Sequence, residues 1–321
     1  MDKRLLIFDA LNQFLRGYIV DPSLSSNGDP IGGFKGFLKI LQKIARETKP
    51  DQIIVVWDGP HGSRRRKQKN SNYKEGRSPI RLNRSIQTLS PDQELQNKAW
   101  QQIQLINYLN ETPIIQFMEG GIEADDVIAH IARHNNYKDW SKIIVSSDKD
   151  YIQLCDDKTV LYRPIQKEVL NKNRIIEQYG IHPNNFALAR SITGDKSDNL
   201  EGVGGAGLKT IAKRFSFLAE EKSYTINEIV EKCEEEETKL KIHQNILDKA
   251  SVLRDNYSLM QLYAPSIPAT TTKRINYVLD NAEFTLNLTE FRAMMIRDGF
   301  GELNLETLFS IFKKIVNDSN K

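Results

Sequence analysis

The sequence predicts an α/β fold built on a mostly parallel central sheet flanked by helices, and three observations carry that prediction. Leu5-Leu6-Ile7-Phe8, Ile53-Ile54-Val55-Val56-Trp57 and Lys142-Ile143-Ile144-Val145-Ser146-Ser147 are short, nearly continuous apolar runs rich in β-branched residues. Strands buried on both faces of a parallel sheet have that composition. Helical periodicity separates the runs: Phe34, Phe37, Leu38, Leu41, Ile44 and Ala45 repeat on one helix face, and Pro50 marks the exit. Each run also ends in carboxylate, at Asp9, Asp58 and Asp148, with Asp150 two residues on.

A fourth strand, Ile114-Ile115-Gln116-Phe117-Met118, delivers the chain to Gly120-Gly121-Ile122-Glu123-Ala124-Asp125-Asp126 and the apolar Val127-Ile128-Ala129. Three acids therefore open one helix. Glu123 and Asp126 share a face at i, i+3 spacing, while Asp125 points about 100° away from Asp126. An acid in a first helical turn gains only ~0.3–1 kcal/mol from the macrodipole, which accounts for one acid more readily than for three. Open α/β sheets bind ligands beyond the carboxyl ends of their strands, so all these acids gather at the ligand edge. Crowded anions raise one another's pKa values unless cations bind. An oxygen-only donor set suits Mg²⁺, with Mn²⁺ able to substitute, rather than Zn²⁺. The five histidines are scattered without ligand spacing.

At 321 residues there is room for one large domain or two smaller ones, and 39% hydrophobic with 27% charged residues is ordinary for a globular protein. No apolar run approaches the ~20 residues of a membrane span, and the N-terminal apolar run is too short for a signal peptide. Two cysteines, Cys155 and Cys233, build neither a disulfide framework nor a metal site, so a cytoplasmic setting is expected. The net charge of +3 says little about partners; its distribution says more. Residues 60–99 break the βα pattern with Arg64-Arg65-Arg66-Lys67-Gln68-Lys69, then Tyr73-Lys74-Glu75-Gly76-Arg77, Arg81 and Arg84. A basic insertion directly after Asp58 overhangs the acidic edge, as a polyanionic substrate requires.

Residues 187–193 read as a helix leading to Gly194-Asp195-Lys196-Ser197-Asp198-Asn199-Leu200 and Gly202-Val203-Gly204-Gly205-Ala206-Gly207. A new helix opens at Leu208 with Lys209, Lys213 and Arg214. The glycine run follows a helix and contains no Gly-Lys-Ser/Thr, so it is neither a dinucleotide fingerprint nor a P-loop. It reads as a helix–hairpin–helix that grips nucleic-acid backbone through exposed N–H groups. Asp195 and Asp198 approach the metal site from this side. The expected division is an α/β core over residues 1–182 and a helical domain over 183–321. Residues 234–237 are expected on a solvated helix face and 264–272 in a connecting loop. Leu305, Leu308, Phe309, Phe312, Ile315 and Val316 mark an amphipathic terminal helix packed on its own core.

With these residues in place, the chain resembles the 5′-nuclease family of flap endonucleases, polymerase I 5′-exonuclease domains and phage 5′-to-3′ exonucleases. The family's strand-end acids, Glu-Ala-Asp-Asp, Ser-Asp-x-Asp and Gly-Asp-x-x-Asp-Asn occur in order. They stand here as Asp9, Asp58, Glu123-Ala124-Asp125-Asp126, Ser147-Asp148-Lys149-Asp150 and Gly194-Asp195-Lys196-Ser197-Asp198-Asn199. Tyr73-Lys74-Glu75-Gly76-Arg77 looks like the arch motif Tyr-Lys-x-x-Arg. The match runs from about residue 4 to 215. Size and helical tail look most like the phage replication enzymes called ribonuclease H, which remove RNA primers. No polymerase sequence is present, and Leu308-Phe309-x-x-Phe312 resembles a clamp-binding box only in its apolar spacing.

The resemblance implies a PIN-like sheet with a helical arch and two Mg²⁺ ions that hydrolyse a phosphodiester. Asp9, Asp58, Glu123, Asp125 and Asp126 would serve the first ion, with Asp125 a direct ligand and Glu123 and Asp126 orienting ion-bound waters. Asp148, Asp150, Asp195 and Asp198 would serve the second, Asp148 lying near both. Lys74 and Arg77 would meet the scissile phosphate, and Tyr73 would stack on a base. Arg16 would touch the template backbone, with Arg64 and Arg65 contacting DNA from the basic insertion. Gly202, Gly204, Gly205 and Gly207 with Lys209 and Lys213 would hold duplex, around a K⁺ as in relatives. Implied partners are duplex or flap DNA, RNA–DNA hybrid, and replication proteins such as a single-strand-binding protein. The implied state is a monomer without membrane attachment, in host cytoplasm if phage-encoded. Two rival classes predict other features. A PIN-type ribonuclease would be far shorter and lack the basic insertion and glycine hairpin. A non-catalytic DNA-end-binding protein would have lost carboxylates, and none is missing here.

Overall fold

The computed structural model describes residues 2–319 apart from Pro79, Gln87, Lys239 and Glu302, so parts of the 60–99 and 183–321 segments lie outside the described residues. Each apolar run forms a strand. Among the described residues, β1 (Arg4–Asp9), β2 (Gln52–Asp58), β3 (Ile114–Glu119), β4 (Ser141–Val145), β5 (Thr159–Arg163) and β6 (Glu168–Leu170) make one sheet in the order β3-β2-β1-β4-β5-β6. Every neighbouring pair is parallel except β5–β6. Ile7 lies opposite Ile54 on one side and Ile144 on the other. The order of strand addition reverses between β1 and β4, and at such a switch point an open sheet forms its ligand crevice. β4 ends at Val145, so Asp148 stands in the turn that follows and Asp150 opens the 3₁₀ helix Asp150–Leu154, neither on the strand.

Alternation along the strands divides the interior into two cores. Leu6, Phe8, Ile53, Val55 and Trp57 face helices Ala10–Val20, Gly32–Thr48 and Pro91–Asn110. Leu5, Ile7, Ile54 and Val56 face helices Ala124–Ala132, Phe186–Thr193, Ile226–Glu235 and Ala250–Met260. The last helices, Leu288–Arg297 and Glu306–Ser319, return to the first core, where Phe291, Phe309 and Phe312 pack with Tyr108 and Phe34. The helices that follow residue 182 therefore cover both faces of the sheet. Leu308, Phe309 and Phe312 are spent in that core, which removes the clamp-like spacing from the surface.

Two local expectations need correction. Residues 264–272 are not all loop: helix Ala269–Asp280 starts directly after Pro268, a residue that needs no N–H partner at a helix entry. The acids of 234–237 are solvated, but the helix carrying the first two ends at Glu235. No helix among the described residues is long and apolar enough to cross a membrane.

The helix pair behind the site approaches unusually closely. A Cβ on Gly36 would lie 2.7 Å from the Gly17 Cα, so these crossing glycines admit no side chain. The tail is fastened by aromatic stacking: Phe300 lies 4.1 Å from Phe34 with the rings 10° apart, and Tyr108 lies 5.5 Å away. Phe300→Ala is expected to cost ~3–5 kcal/mol, read as a lower urea midpoint. An unchanged midpoint would show that the tail contributes nothing to that core.

Candidate metal centre

Backbone geometry at the carboxyl edge fixes each acid in turn. Asp9 ends β1 and caps helix Ala10–Val20, accepting from the Asn12 amide at 3.3 Å. Its second oxygen accepts from the hydroxyls of Ser146 at 2.8 Å and Tyr151 at 3.3 Å. Asp58 ends β2 and accepts from the Ala124 amide at 2.9 Å, which ties it to the acidic helix. Glu123 holds the N-cap position of that helix but makes no side-chain cap bond. It accepts instead from the Lys74 Nζ at 2.7 Å, from Arg66 and from the Tyr73 hydroxyl at 3.3 Å. Asp148 accepts from the Asp150 amide at 2.8 Å. The Gly194-to-Leu200 loop is closed by two backbone bonds between Asp195 and Leu200, of 2.9 and 2.8 Å. Gly194 has φ +73°, and a Cβ there would collide with the Leu200 carbonyl and Gly202 amide. That loop carries Asp195 and Asp198 toward the strand ends.

Eight of the nine expected carboxylates line one cavity of about 210 Å³, together with Tyr73, Lys74 and Arg77. Asp126 is the exception. Turned from the cavity as its position on the helix requires, it accepts from the Ser266 amide at 3.1 Å and pairs with Arg66 at 3.4 Å. A larger cleft of about 420 Å³ lies between Arg133, Gln153, Tyr257 and Tyr263. There Arg133 donates to the Leu262 and Tyr263 carbonyls and Gln153 to that of Met260, so these polar groups are engaged within the chain. Chemistry, not size, selects the acidic cavity.

Burial, then the charges of Asp58 and Asp148, push the Asp9 carboxyl up to about 7. Burial and the neighbouring Asp148 raise Asp150 as well. Asp195 moves the other way: burial opposes its charge, but Ser197 and Arg190 hold it below the usual carboxylate range. A set of crowded, oxygen-only donors whose charge is disfavoured fits a hard divalent cation. Among the described residues no three His, Cys, Asp or Glu side chains already converge to hold one ion. Arg66, Lys74, Arg77 and Arg190 engage the carboxylates instead.

The basic segment docks on the site through backbone as well as side chain. Lys74 adopts φ +57°, a left-handed conformation costing roughly 1–2 kcal/mol, and its amide donates to the Asp198 carbonyl at 3.0 Å. Arg77 donates to the Ser197 carbonyl at 2.8 Å and pairs with Asp198. Tyr73 departs from the expectation of base stacking. Its ring is 3% exposed, packed with Leu200, Leu259 and Met260, and its hydroxyl bonds Glu123 and Asp198. It supports carboxylates rather than offering a free aromatic face. Arg64 is exposed beside an open cleft with Lys67, whereas Arg65 donates to the Ser266 carbonyl at 2.6 Å. Arg16 lies in a separate basic cleft with Lys39 and Lys43. Gly204, Gly205 and Gly207 border open space and Lys209 and Lys213 are exposed, while Gly202 packs against Thr193.

Sequence reasoning missed two residues. Arg66, 8% exposed, donates to Glu123, to Asp125 at 3.0 Å and to the Leu259 carbonyl at 3.0 Å. Nothing in a six-residue basic run singles it out. Arg190 did leave a signal: one charge in the otherwise apolar stretch Phe-Ala-Leu-Ala-Arg-Ser-Ile, where a buried cation requires an anionic partner.

The chain matches the family model for the 5′-3′ exonuclease N-terminal resolvase-like domain over residues 4–180. It is 32% identical over 214 residues to a 5′-3′ exonuclease of Aquifex aeolicus (strain VF5), covering 65% of this chain and 67% of that one. Its fold is similar to that of the T5 D15 protein co-crystallized with metal ions, with TM-score 0.68 at 19% identity, covering 88% of this chain and 100% of that one. The bacteriophage T5 D15 flap endonuclease in a pseudo-enzyme-product complex with DNA and metal ions is similar at TM-score 0.63 and 19% identity, covering 93% and 100%. From this match to the model and to the Aquifex exonuclease, the chain belongs to the 5′-3′ exonuclease family of nucleases.

Proposed function

We propose that the protein is a Mg²⁺-dependent, structure-specific 5′-3′ exonuclease and flap endonuclease that removes RNA primers or 5′ flaps during DNA replication. Its substrates would be duplex or flap DNA and RNA–DNA hybrid. The observation that carries this reading is the meeting of Lys74 and Arg77 with eight carboxylates in one cavity. Phosphate-binding cations and metal-binding anions then act on the same atom of substrate. Asp9, Asp58, Glu123 and Asp125 would hold one ion and Asp148, Asp150, Asp195 and Asp198 a second, with Asp126 acting through Arg66. Bound there, two divalent ions supply Lewis acidity and an activated nucleophile for in-line displacement at phosphorus.

The chain's own residues divide the remaining work. Lys74 and Arg77 neutralise the phosphate that enters, exchanging their carboxylate partners for its oxygens. The Tyr73 hydroxyl keeps Glu123 and Asp198 oriented as those cations move. Gly204, Gly205 and Gly207, with Lys209 and Lys213, would hold duplex by its phosphates, with K⁺ as a counter-ion, so contacts there select shape and not sequence. Lys209→Ala is expected to weaken duplex binding about equally for all sequences and to lower the slope of log K against log salt by ~1. A fall in the single-turnover rate at saturating enzyme would place Lys209 in the chemistry instead. The reading as a whole is tested with a labelled 5′-flap duplex: cleavage is expected in Mg²⁺ and not in EDTA. Failure to cut flap, nicked duplex or RNA–DNA hybrid in Mg²⁺ or Mn²⁺ would overturn it.

A further inference from the structure

We propose that Arg190 is a positioning residue, a built-in counter-ion that joins Asp150 to Asp195 and restrains the affinity of the site for divalent ions. The proposal rests on the metal-centre reading above and adds to it a residue that sets the strength of binding. Arg190 belongs to helix Phe186–Thr193, whose Phe186, Leu188, Ala189, Ser191 and Ile192 are buried in the core. Its guanidinium leaves that core toward the acids, with the side chain only 16% exposed. Nε meets an Asp150 oxygen at 3.3 Å, and the terminal nitrogen pairs with Asp195. Asp150 comes from the 3₁₀ helix after β4 and Asp195 from the glycine loop, so one side chain spans two separate carriers of carboxylate. The Arg190 carbonyl also accepts from the Gly194 amide at 2.9 Å, which ties the end of its helix to the start of the loop.

The hydrogen bonds at Asp195 give this contact its consequence. One oxygen of Asp195 accepts from the Ser197 amide at 2.7 Å and the Ser197 hydroxyl at 2.6 Å, and the other accepts from Arg190. Both oxygens are therefore engaged inside the chain. An ion that draws on Asp195 or Asp150 must compete with the guanidinium, whereas the protein without an ion depends on it to offset two neighbouring anions. Removing the charge should destabilise the ion-free protein and strengthen ion binding, and the gain in binding equals the stability lost without the ion minus that lost with it. A guanidinium that merely packs would change stability without changing ion affinity.

The test compares the wild type with Arg190→Gln, Arg190→Met and the charge-retaining Arg190→Lys. The readouts are Ca²⁺ titration calorimetry and thermal melting in EDTA and in Ca²⁺, neither of which depends on turnover. Either neutral variant is expected to melt about 2 °C lower in EDTA, to bind Ca²⁺ roughly tenfold more tightly, and to recover toward the wild-type melting temperature as Ca²⁺ is added. Arg190→Lys should keep near-wild-type affinity. Unchanged or weaker Ca²⁺ binding in a folded neutral variant, with a deficit in Ca²⁺ equal to or larger than that in EDTA, would overturn the proposal while leaving the metal centre standing. A wild type that neither binds Ca²⁺ nor is stabilised by it would overturn the metal centre itself and the proposal with it. Two neutral side chains of different polarity keep the comparison available if one variant fails to fold.

Discussion

Replacing Asp148 or Asp150 with asparagine is expected to lower the single-turnover cleavage rate at least about a thousandfold, while a 5′-flap duplex still binds in Ca²⁺. Asparagine keeps the shape of the side chain and removes the charge that a divalent ion needs. Asp150 accepts from Arg190 and its amide donates to Asp148, so the two acids form one short loop between β4 and the helical hairpin. Neither touches the exposed glycines or lysines proposed to hold duplex, and binding should therefore survive. Burial raises the pKa of both carboxyls, so loss of one charge should also relieve the other and spare the fold. The checks are quenched-flow cleavage in Mg²⁺ and gel shift in Ca²⁺. Unchanged turnover in both variants would remove these residues from the metal centre.

The second large effect is expected at Lys74. Lys74→Ala should slow the chemical step by ~10²–10³ at saturating enzyme, with only a modest loss of affinity. Lys74 reaches the cavity from a left-handed backbone position secured by the Asp198 carbonyl, and its ammonium lies 2.7 Å from Glu123. That backbone position docks the basic segment on the glycine loop and holds the charge in the cavity where phosphate is proposed to arrive. Lys74→Arg should recover part of the rate because the charge is kept. A weaker Kd with an unchanged saturated rate would make Lys74 a substrate-holding residue and nothing more.

The strands most legible in the sequence were those buried on both faces. Leu5 to Phe8 and Ile53 to Trp57 advertise themselves because every position is apolar, and their terminal acids follow directly. β5 and β6 were not announced, since Glu168–Leu170 is only three residues long and pairs at the sheet edge. Periodicity identified the terminal helix and its apolar face, but it carries no information about which core receives that face. Phe309 and Phe312 therefore joined Phe34 and Tyr108 across the sheet from the hairpin without any local sign. The separate directions of Asp125 and Asp126 did follow from helix geometry, but the shared face expected for Glu123 and Asp126 did not. Glu123 is the extended N-cap and lines the cavity with Asp125, Asp126 turns away, and Arg66 meets all three. Arg66 itself, and the burial of the Tyr73 ring, depend on which segments fold together, and composition records neither.

The carboxylates at this sheet edge are proposed to hold the divalent ions. Anomalous scattering from crystals grown in Mn²⁺ tests this most directly. Two peaks are predicted within the 210 Å³ cavity, one toward Asp9 and Asp125 and one toward Asp148 and Asp150. Ordered Mn²⁺ elsewhere on the protein, with none among these acids at saturating concentration, would contradict the account.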